Sequence, residues 1–493
     1  VELAQATLLA GASLLCTDNA YVDDSHLLPA TFGANTYPAW TEAALTRHPL
    51  TGVRHALTEL SGRGELPPLD LPAVSAGCLH ISHPWGGGLA QWIDDFASTD
   101  KGTRHYILKS IGDWDAHGKS LALYEHPDGG DPLGWWTLAR PILSTTRHHH
   151  EYRAILQAII DDYAIDTIIA STVIGHSLDA LRTDLPTLVV CHDFYPACPV
   201  LYASFGGPCE SCEAPRLTRC LTENPEHRYF RTEPADNWLQ MRSAYARLLR
   251  ERDLPVVAPG NAVARRMAMI APELAKQQIT VVPHGLPCSL IASLREMRPS
   301  RPLQEQLRVL VPGSLQAHKG LDILRELIGG PRVNVHFYLL GCGDNGREFE
   351  GQEGVTITER YARKELASHL AEISPDLGLL LSTVPETFSY TLAELQAARI
   401  PVIATNMGAF AERVCDGDTG WLVPPNAGEV AQTLSQLAEN RAALKQAREN
   451  LADTVIATTV DTVARYRMLL GDAHKTANLR PPYLRKRSLL TGG

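Results

Sequence analysis

The chain reads as two Rossmann-like, doubly wound α/β domains facing a cleft, preceded by a short N-terminal appendage. Three observations predict this. Short apolar runs alternate with helical patterns along most of the chain, which is the signature of parallel sheets covered by helices. At 493 residues the chain is too long for one ordinary core. Two of the apolar runs, Thr187-Leu188-Val189-Val190-Cys191 and Leu377-Gly378-Leu379-Leu380-Leu381, break into loops carrying titratable residues. Open α/β sheets bind their ligands at such strand ends.

Composition sets the outer limits. With 44% hydrophobic and 20% charged residues, the make-up is that of an ordinary globular protein. A net charge of −10 argues against a general nucleic-acid binder, but leaves a nucleotide ligand open, since that needs only local positive groups. No apolar stretch reaches the roughly 18 residues of a membrane span, and no signal peptide is visible. The opening Val1-Glu2-Leu3, without methionine, reads as part of a longer protein. Ten cysteines without a secretory signal fit a reducing cytoplasm, with peripheral contact at the inner membrane face left open.

Residues 1–74 are read as the appendage, with Pro-rich segments and the aspartates Asp18, Asp23 and Asp24. The first α/β domain is placed at 75–258. Cys78 to His83 reads as a strand, Gly86-Gly87-Gly88 as a tight turn and Leu89 to Phe96 as a helix. A glycine turn between strand and helix lets backbone approach a phosphate or sugar closely. Further strands are expected at Tyr106 to Leu108, Leu121 to Tyr124 and Thr167 to Ala170, all within a parallel sheet. The run from Thr187 then ends in His192-Asp193, where either side chain can reach sugar hydroxyls.

A Cys-rich insertion follows at 198–220. Cys198, Cys209, Cys212 and Cys220 fit two readings, free thiols or a closed tetrahedral zinc site of structural kind. The second domain is placed at 259–450 and expected to open with Ile279 to Gly285. The strand Leu307 to Pro312 leads into Gly313-Ser314 and a loop lysine, Lys319, suited to a diphosphate contact. Charge-assisted hydrogen bonds of that sort are worth roughly 1.5–3 kcal/mol. The strand at Leu377 enters the loop Ser382 to Pro385, and a helix is expected from about Tyr390 to Arg399. Glu386 lies in that loop and Glu394 eight residues later on the helix, with the free N–H groups of the helix start between them. Residues 451–472 read as a C-terminal helix and 473–493 as a basic tail.

The spaced glutamates, followed by Ile400 to Thr405, Gly408 and Gly417-Asp418-Thr419-Gly420-Trp421-Leu422-Val423, resemble the donor half of retaining glycosyltransferases of family 4. That resemblance implies the GT-B fold and transfer of a hexosyl-type sugar from a nucleotide-diphosphate sugar. The acceptor would be a glycan, lipid-linked or protein acceptor, as in surface-glycan, lipopolysaccharide or protein-glycosylating enzymes. It assigns Glu386, His192 and Lys319 to catalysis. Donor binding falls to Glu394, Gly86, Gly87, Gly88, Gly313, Ser314, Phe388, Ser389, Tyr390, Thr391 and Arg360. The resemblance implies no cofactor for transfer beyond the nucleotide-diphosphate sugar itself. Family members carry arginine after the glycine at 313, where this chain has Ser314, so Lys319, with His318 beside it, must hold more of the charge.

Rival readings are another GT-B enzyme, such as a nucleotide-sugar epimerase or a phosphorylase, and a non-catalytic GT-B module of a larger transferase. An NAD-dependent enzyme would need Gly86 to Gly88 in a G-x-G-x-x-G order, which Gln91 breaks.

Overall fold

The computed structural model describes residues 76–477, apart from 114–115, 128–129, 226–228, 231–232, 298–305 and 331–333. The expected appendage, and the basic tail beyond 477, lie outside the described residues.

The first sheet holds β1 (Gly77–Ser82), β2 (Arg104–Asp113), β3 (Ala116–Glu125), β4 (Gly134–Ile142), β6 (Ile165–Ala170), β8 (Thr187–Val190), β9 (Val256–Ala258) and β10 (Ile279–Val281). Two-residue β5 (Thr145–Thr146) and β7 (His176–Ser177) pair separately. The spatial order is β10-β9-β8-β6-β1-β2-β3-β4. Strands β10 through β2 pair in parallel, whereas β2-β3-β4 is an antiparallel meander. Leu121 to Tyr124 is therefore not part of the parallel set: no helix lies between β2 and β3, and a connection that short permits only antiparallel pairing. Ile279–Val281 also departs from expectation. It hydrogen-bonds to β9 and closes the edge of the first sheet, so the second sheet begins later.

The second sheet holds β11 (Leu307–Pro312), β12 (Val335–Leu340), β13 (Val355–Thr358), β14 (Leu377–Leu380), β15 (Val402–Thr405) and β16 (Gly420–Val423). All pairs are parallel, in the order β13-β12-β11-β14-β15-β16.

Both sheets are covered on both faces, as parallel sheets must be. Alternate residues feed opposite layers. Leu79 and Ile81 of β1 enter one hydrophobic cluster, while Cys78 enters another with Trp92, Phe96, Tyr466 and Leu470. In β11, Leu307, Val309 and Val311 face one layer and Leu310 the other. The last helix, Thr459–Ala477, leaves the second domain and packs on helix Gly87–Thr99 of the first. Its Tyr466 is fully buried against Trp92 and Phe96, and Arg467 pairs with Asp100. The outward and returning connections run side by side: Leu286 N–H donates to Ala457 O (2.9 Å), and Thr459 N–H to Leu286 O (3.0 Å). No helix among the described residues is long and apolar enough to cross a membrane.

Candidate active site

The site is built outward from the end of β14. Four buried residues, Leu377 to Leu380, carry the chain to Ser382, whose hydroxyl lies 3.1 Å from His318 O. Thr383 N–H donates to the same carbonyl (2.9 Å). These contacts hold the loop after β11 against the loop after β14, so Lys319 Nζ meets Glu386 Oε1 in a salt bridge. Two glycines make the fit. Gly320 (φ 84°) and Gly408 (φ 57°) lie in the left-handed region, and a Cβ would strike Leu381 O at the first and the Glu386 backbone at the second. Burial raises the Glu386 carboxyl, but the Lys319 charge and hydrogen bonds from Lys319 and Ser382 outweigh it and hold the carboxyl below its ordinary range. Lys319 keeps 43% of its side chain exposed, against 11% for Glu386, so the positive end of the pair faces the cleft.

Helix Tyr390–Ala397 starts where the sequence predicts and ends two residues short of Arg399. Ser389 caps it, accepting from Leu392 N–H (3.2 Å), and its hydroxyl also lies 2.9 Å from Thr391 Oγ1. The Gly313-Ser314 turn reaches this helix start, since a Cβ on Gly313 would touch Thr391 Cγ2 at 3.6 Å. Glu394 is buried one turn on, and burial raises its carboxyl despite a hydrogen bond from Arg363 Nε to Oε1 (3.0 Å). Arg363 Nη1 also grips both oxygens of Asp95 in the first domain (2.9 and 2.8 Å). An Asp95–Arg363–Glu394 chain thus ties the two domains beside helix Tyr390–Ala397.

The first domain meets this corner through His192. Thr387 Oγ1 donates to His192 O (2.7 Å), and the imidazole packs on Trp92 (4.9 Å) and His284 (4.9 Å). His192 Nε2 is buried with no hydrogen-bond partner among the described residues, and burial, then the neighbouring histidines, holds the ring neutral. An orphaned ring nitrogen at the junction of two domains is placed to bond a ligand. Asp193 turns back on its own loop, accepting from Tyr195 N–H (2.7 Å); burial pushes its carboxyl up to about 7. Gly86 and Gly87 hold positive φ (75° and 70°), and Gly88 lies against the Tyr390 ring, so the glycine turn faces helix Tyr390–Ala397 across the cleft.

Two residues expected at the donor site lie elsewhere. Phe388 is buried, with its ring under the Arg413 guanidinium (4.5 Å) and beside His284 (5.0 Å), so its side chain is core. Arg360 is on the surface, pairing with Asp344 (3.3 Å) at 77% side-chain exposure. Tyr390 is wedged between Arg363 (5.4 Å) and His284 (6.2 Å). Arg363, Asp95, His284 and Arg413 carry no sequence signal of their own. Arg413 donates to Phe388 O and to Gln396 Oε1 (3.1 Å) and so fixes the loop before the helix.

Two side-chain sets have metal-ligand character. Cys78, His80 and His105 bring their ligand atoms within 4.8 Å of one another. His80 Nε2 already lies 3.0 Å from His105 Nδ1, with Asp100 next to His105 (3.2 Å) and Trp92 and Phe96 around them, so the set is a hydrogen-bonded chain in an aromatic core. The second set is the four cysteines of the insertion, all buried.

Two facing doubly wound domains with a returning C-terminal helix define the GT-B class of glycosyltransferase folds, and the solved structures agree. HepE of Anabaena, solved in complex with UDP and glucose, superposes with a TM-score of 0.50 at 16% identity, over 80% of this chain and 99% of that one. A glycosyltransferase from Rickettsia africae ESF-5 gives 0.51 at 14%, over 81% and 99%. More narrowly, residues 306–440, the second sheet and its helices, match the family of glycosyl transferases group 1. Part of the chain is 28% identical over 145 residues to the D-inositol 3-phosphate glycosyltransferase of Paenarthrobacter aurescens (strain TC1). That match spans 27% of this chain and 34% of the relative's length.

Proposed function

We propose that the protein is a retaining glycosyltransferase that moves a sugar from a nucleotide-diphosphate donor to a glycan, lipid-linked or protein acceptor. The observation that carries this is the unequal pair of carboxylates on one strand-loop-helix corner: Glu386 ionised beside Lys319, Glu394 buried and clamped by Arg363. A single corner with one carboxylate at the cleft and one behind the helix start suits a donor that is a sugar, a diphosphate and a nucleoside in series. The group 1 family match and the UDP held by HepE support a nucleotide donor, while the base and sugar stay open.

In this reading the diphosphate lies at the start of helix Tyr390–Ala397, between Gly313-Ser314 and Lys319, where N–H groups and the ammonium meet the charge that develops as it leaves. Lys319 exchanges Glu386 for phosphate, and the freed Glu386 accepts from sugar hydroxyls. Glu394 accepts from the ribose, and His192 bonds the sugar from the opposite domain. The acceptor hydroxyl attacks the anomeric carbon on the face from which the diphosphate departs, and its proton passes to the leaving phosphate oxygen. Configuration is retained, with no metal or covalent enzyme intermediate in the step. The first domain presents the acceptor, and closure excludes the water that would hydrolyse the donor.

The test is release of nucleoside diphosphate from a panel of nucleotide sugars with acceptor present. Glu394→Ala should lose nucleotide binding, whereas Glu386→Ala should bind donor but transfer poorly. Normal transfer by both variants would refute the assignment.

A further inference from the structure

Between β8 and helix Ala235–Glu251 the chain folds loops around a helix, Ala214–Glu223, and buries four cysteines inside. Cys198, Cys209, Cys212 and Cys220 are all buried and line one cavity with Phe205 and Arg216. The backbone around it takes tight left-handed turns at Leu201 (φ 72°) and Ala203 (φ 51°), a costly path for a loop without a staple.

Hydrogen-bond donors converge on the sulfurs. Arg216 Nη2 lies 3.4 Å from Cys209 Sγ, and Asn224 Nδ2 lies 3.2 Å from Cys220 Sγ. The buried Arg242 binds Cys212 O through both terminal nitrogens (3.1 Å each) and pairs with Glu273. Arg216 has no carboxylate partner among the described residues, and its Nε is buried without any acceptor. Apart from Phe205, whose carbonyl it also reaches (3.3 Å), the Arg216 guanidinium is turned toward cysteine sulfur rather than a carboxylate, a setting that negative charge on sulfur would complete. Thiols in an apolar pocket stay neutral, whereas metal-bound thiolates supply that charge.

We propose that Cys198, Cys209, Cys212 and Cys220 hold a thiophilic metal centre as four thiolates, with Arg216 and Asn224 donating to the sulfurs. Among the described residues no three of these sulfurs lie within 4.8 Å of one another. Four sulfurs 2.3 Å from one zinc ion stand about 3.8 Å apart, so a single ion draws the loop inward. An iron–sulfur core spans a wider ring with the same ligands. The centre is structural: four thiolates leave no open position on a zinc ion. Its reach extends to the cleft, because Tyr202, between the first two ligands, stacks on His318 at 4.7 Å and 20°, next to Lys319.

The test is elemental analysis of the full-length chain purified anaerobically without chelator, for zinc, iron and acid-labile sulfide. About one zinc per chain, or iron matched by sulfide with a visible chromophore, is expected, the two results distinguishing ion from cluster. Cys212→Ser should lose the metal, while Cys288→Ser and Cys415→Ser, at exposed cysteines, should keep it. Arg216→Gln, which leaves all four thiols in place and guards against a misfolded Cys212→Ser, should weaken retention against a competing chelator by about ten-fold. A wild-type chain with under a tenth of an equivalent of either metal overturns the proposal. So does metal that survives Cys212→Ser but is lost in His80→Ala, which would move it to the other cluster. Metal content is read without reference to transfer, so it stands or falls apart from the donor reading.

Discussion

Across the cleft, the second domain contributes Lys319, Glu386, Glu394 and Arg363, while the first contributes the rings of His192, His284 and Trp92, with Asp95 reaching Arg363. The difference follows from how each surface is made. In the second domain Lys319 and Glu386 sit on loops leaving parallel strands, and Glu394 is buried on the helix that follows under Arg363, so the charges persist in salt bridges. In the first they sit in an aromatic layer closed by the last helix, where burial keeps imidazoles neutral: His284 falls to about 3. One side is suited to an anionic leaving group, the other to neutral hydroxyls and ring faces.

The largest effect that would sharpen this contrast is loss of charge on the second domain. Lys319→Ala and Glu386→Ala are each expected to lower the transfer rate by about 10²–10³, since each removes one group facing developing charge or the reacting sugar. If His192→Ala costs more than either, the division of labour is reversed. Next comes the tie between the halves. Asp95→Asn leaves Arg363 gripping only Glu394 and should raise the donor KM by about ten-fold, as expected for one charge-assisted hydrogen bond, with kcat moved less. An unchanged KM would mean that the Asp95–Arg363 contact is only packing.

A third outcome concerns stability and pH. His176 is fully buried, its Nδ1 2.9 Å from Tyr152 OH and its Nε2 2.7 Å from Ser82 O, which fits a neutral ring with both nitrogens used. A histidine whose folded pKa is depressed binds a proton more readily when unfolded. Its contribution is complete above the unfolded value near 6.5 and is lost as pH falls from there toward 4, by up to about 1.4 kcal/mol per pH unit for each such group. The urea midpoint should therefore fall between pH 7.5 and 5.5, with amide exchange rising first in the first domain. Earlier loss in the second domain would break the comparison. The smallest effect is at Arg360, where Arg360→Ala should change donor KM by less than about two-fold, because an exposed ion pair contributes little.

How much was legible follows the same division. The second domain's corner could be read because strand, loop and helix are consecutive, so Glu386 and Glu394 carry their geometry in their spacing. Even there the contiguous run from Phe388 to Thr391 reads as one contact surface, whereas the backbone turns Phe388 into the core under Arg413. Arg363 and Asp95 stand 268 residues apart, and no local pattern announces such a pair. The pairing of Ile279–Val281 is hidden for a related reason: an apolar run shows that it is a strand, but not which sheet edge it completes.

The return of helix Thr459–Ala477 to the first domain has a consequence for biogenesis. Trp92 and Phe96 emerge from the ribosome early, yet Tyr466, which seals them, emerges only after the whole second domain. The first domain must therefore wait with an open aromatic face while some 180 residues of the second, reckoned from β10 to this helix, are made and folded. Nascent chains halted before residue 459 would display that face, making them the stage at which a chaperone has most to hold.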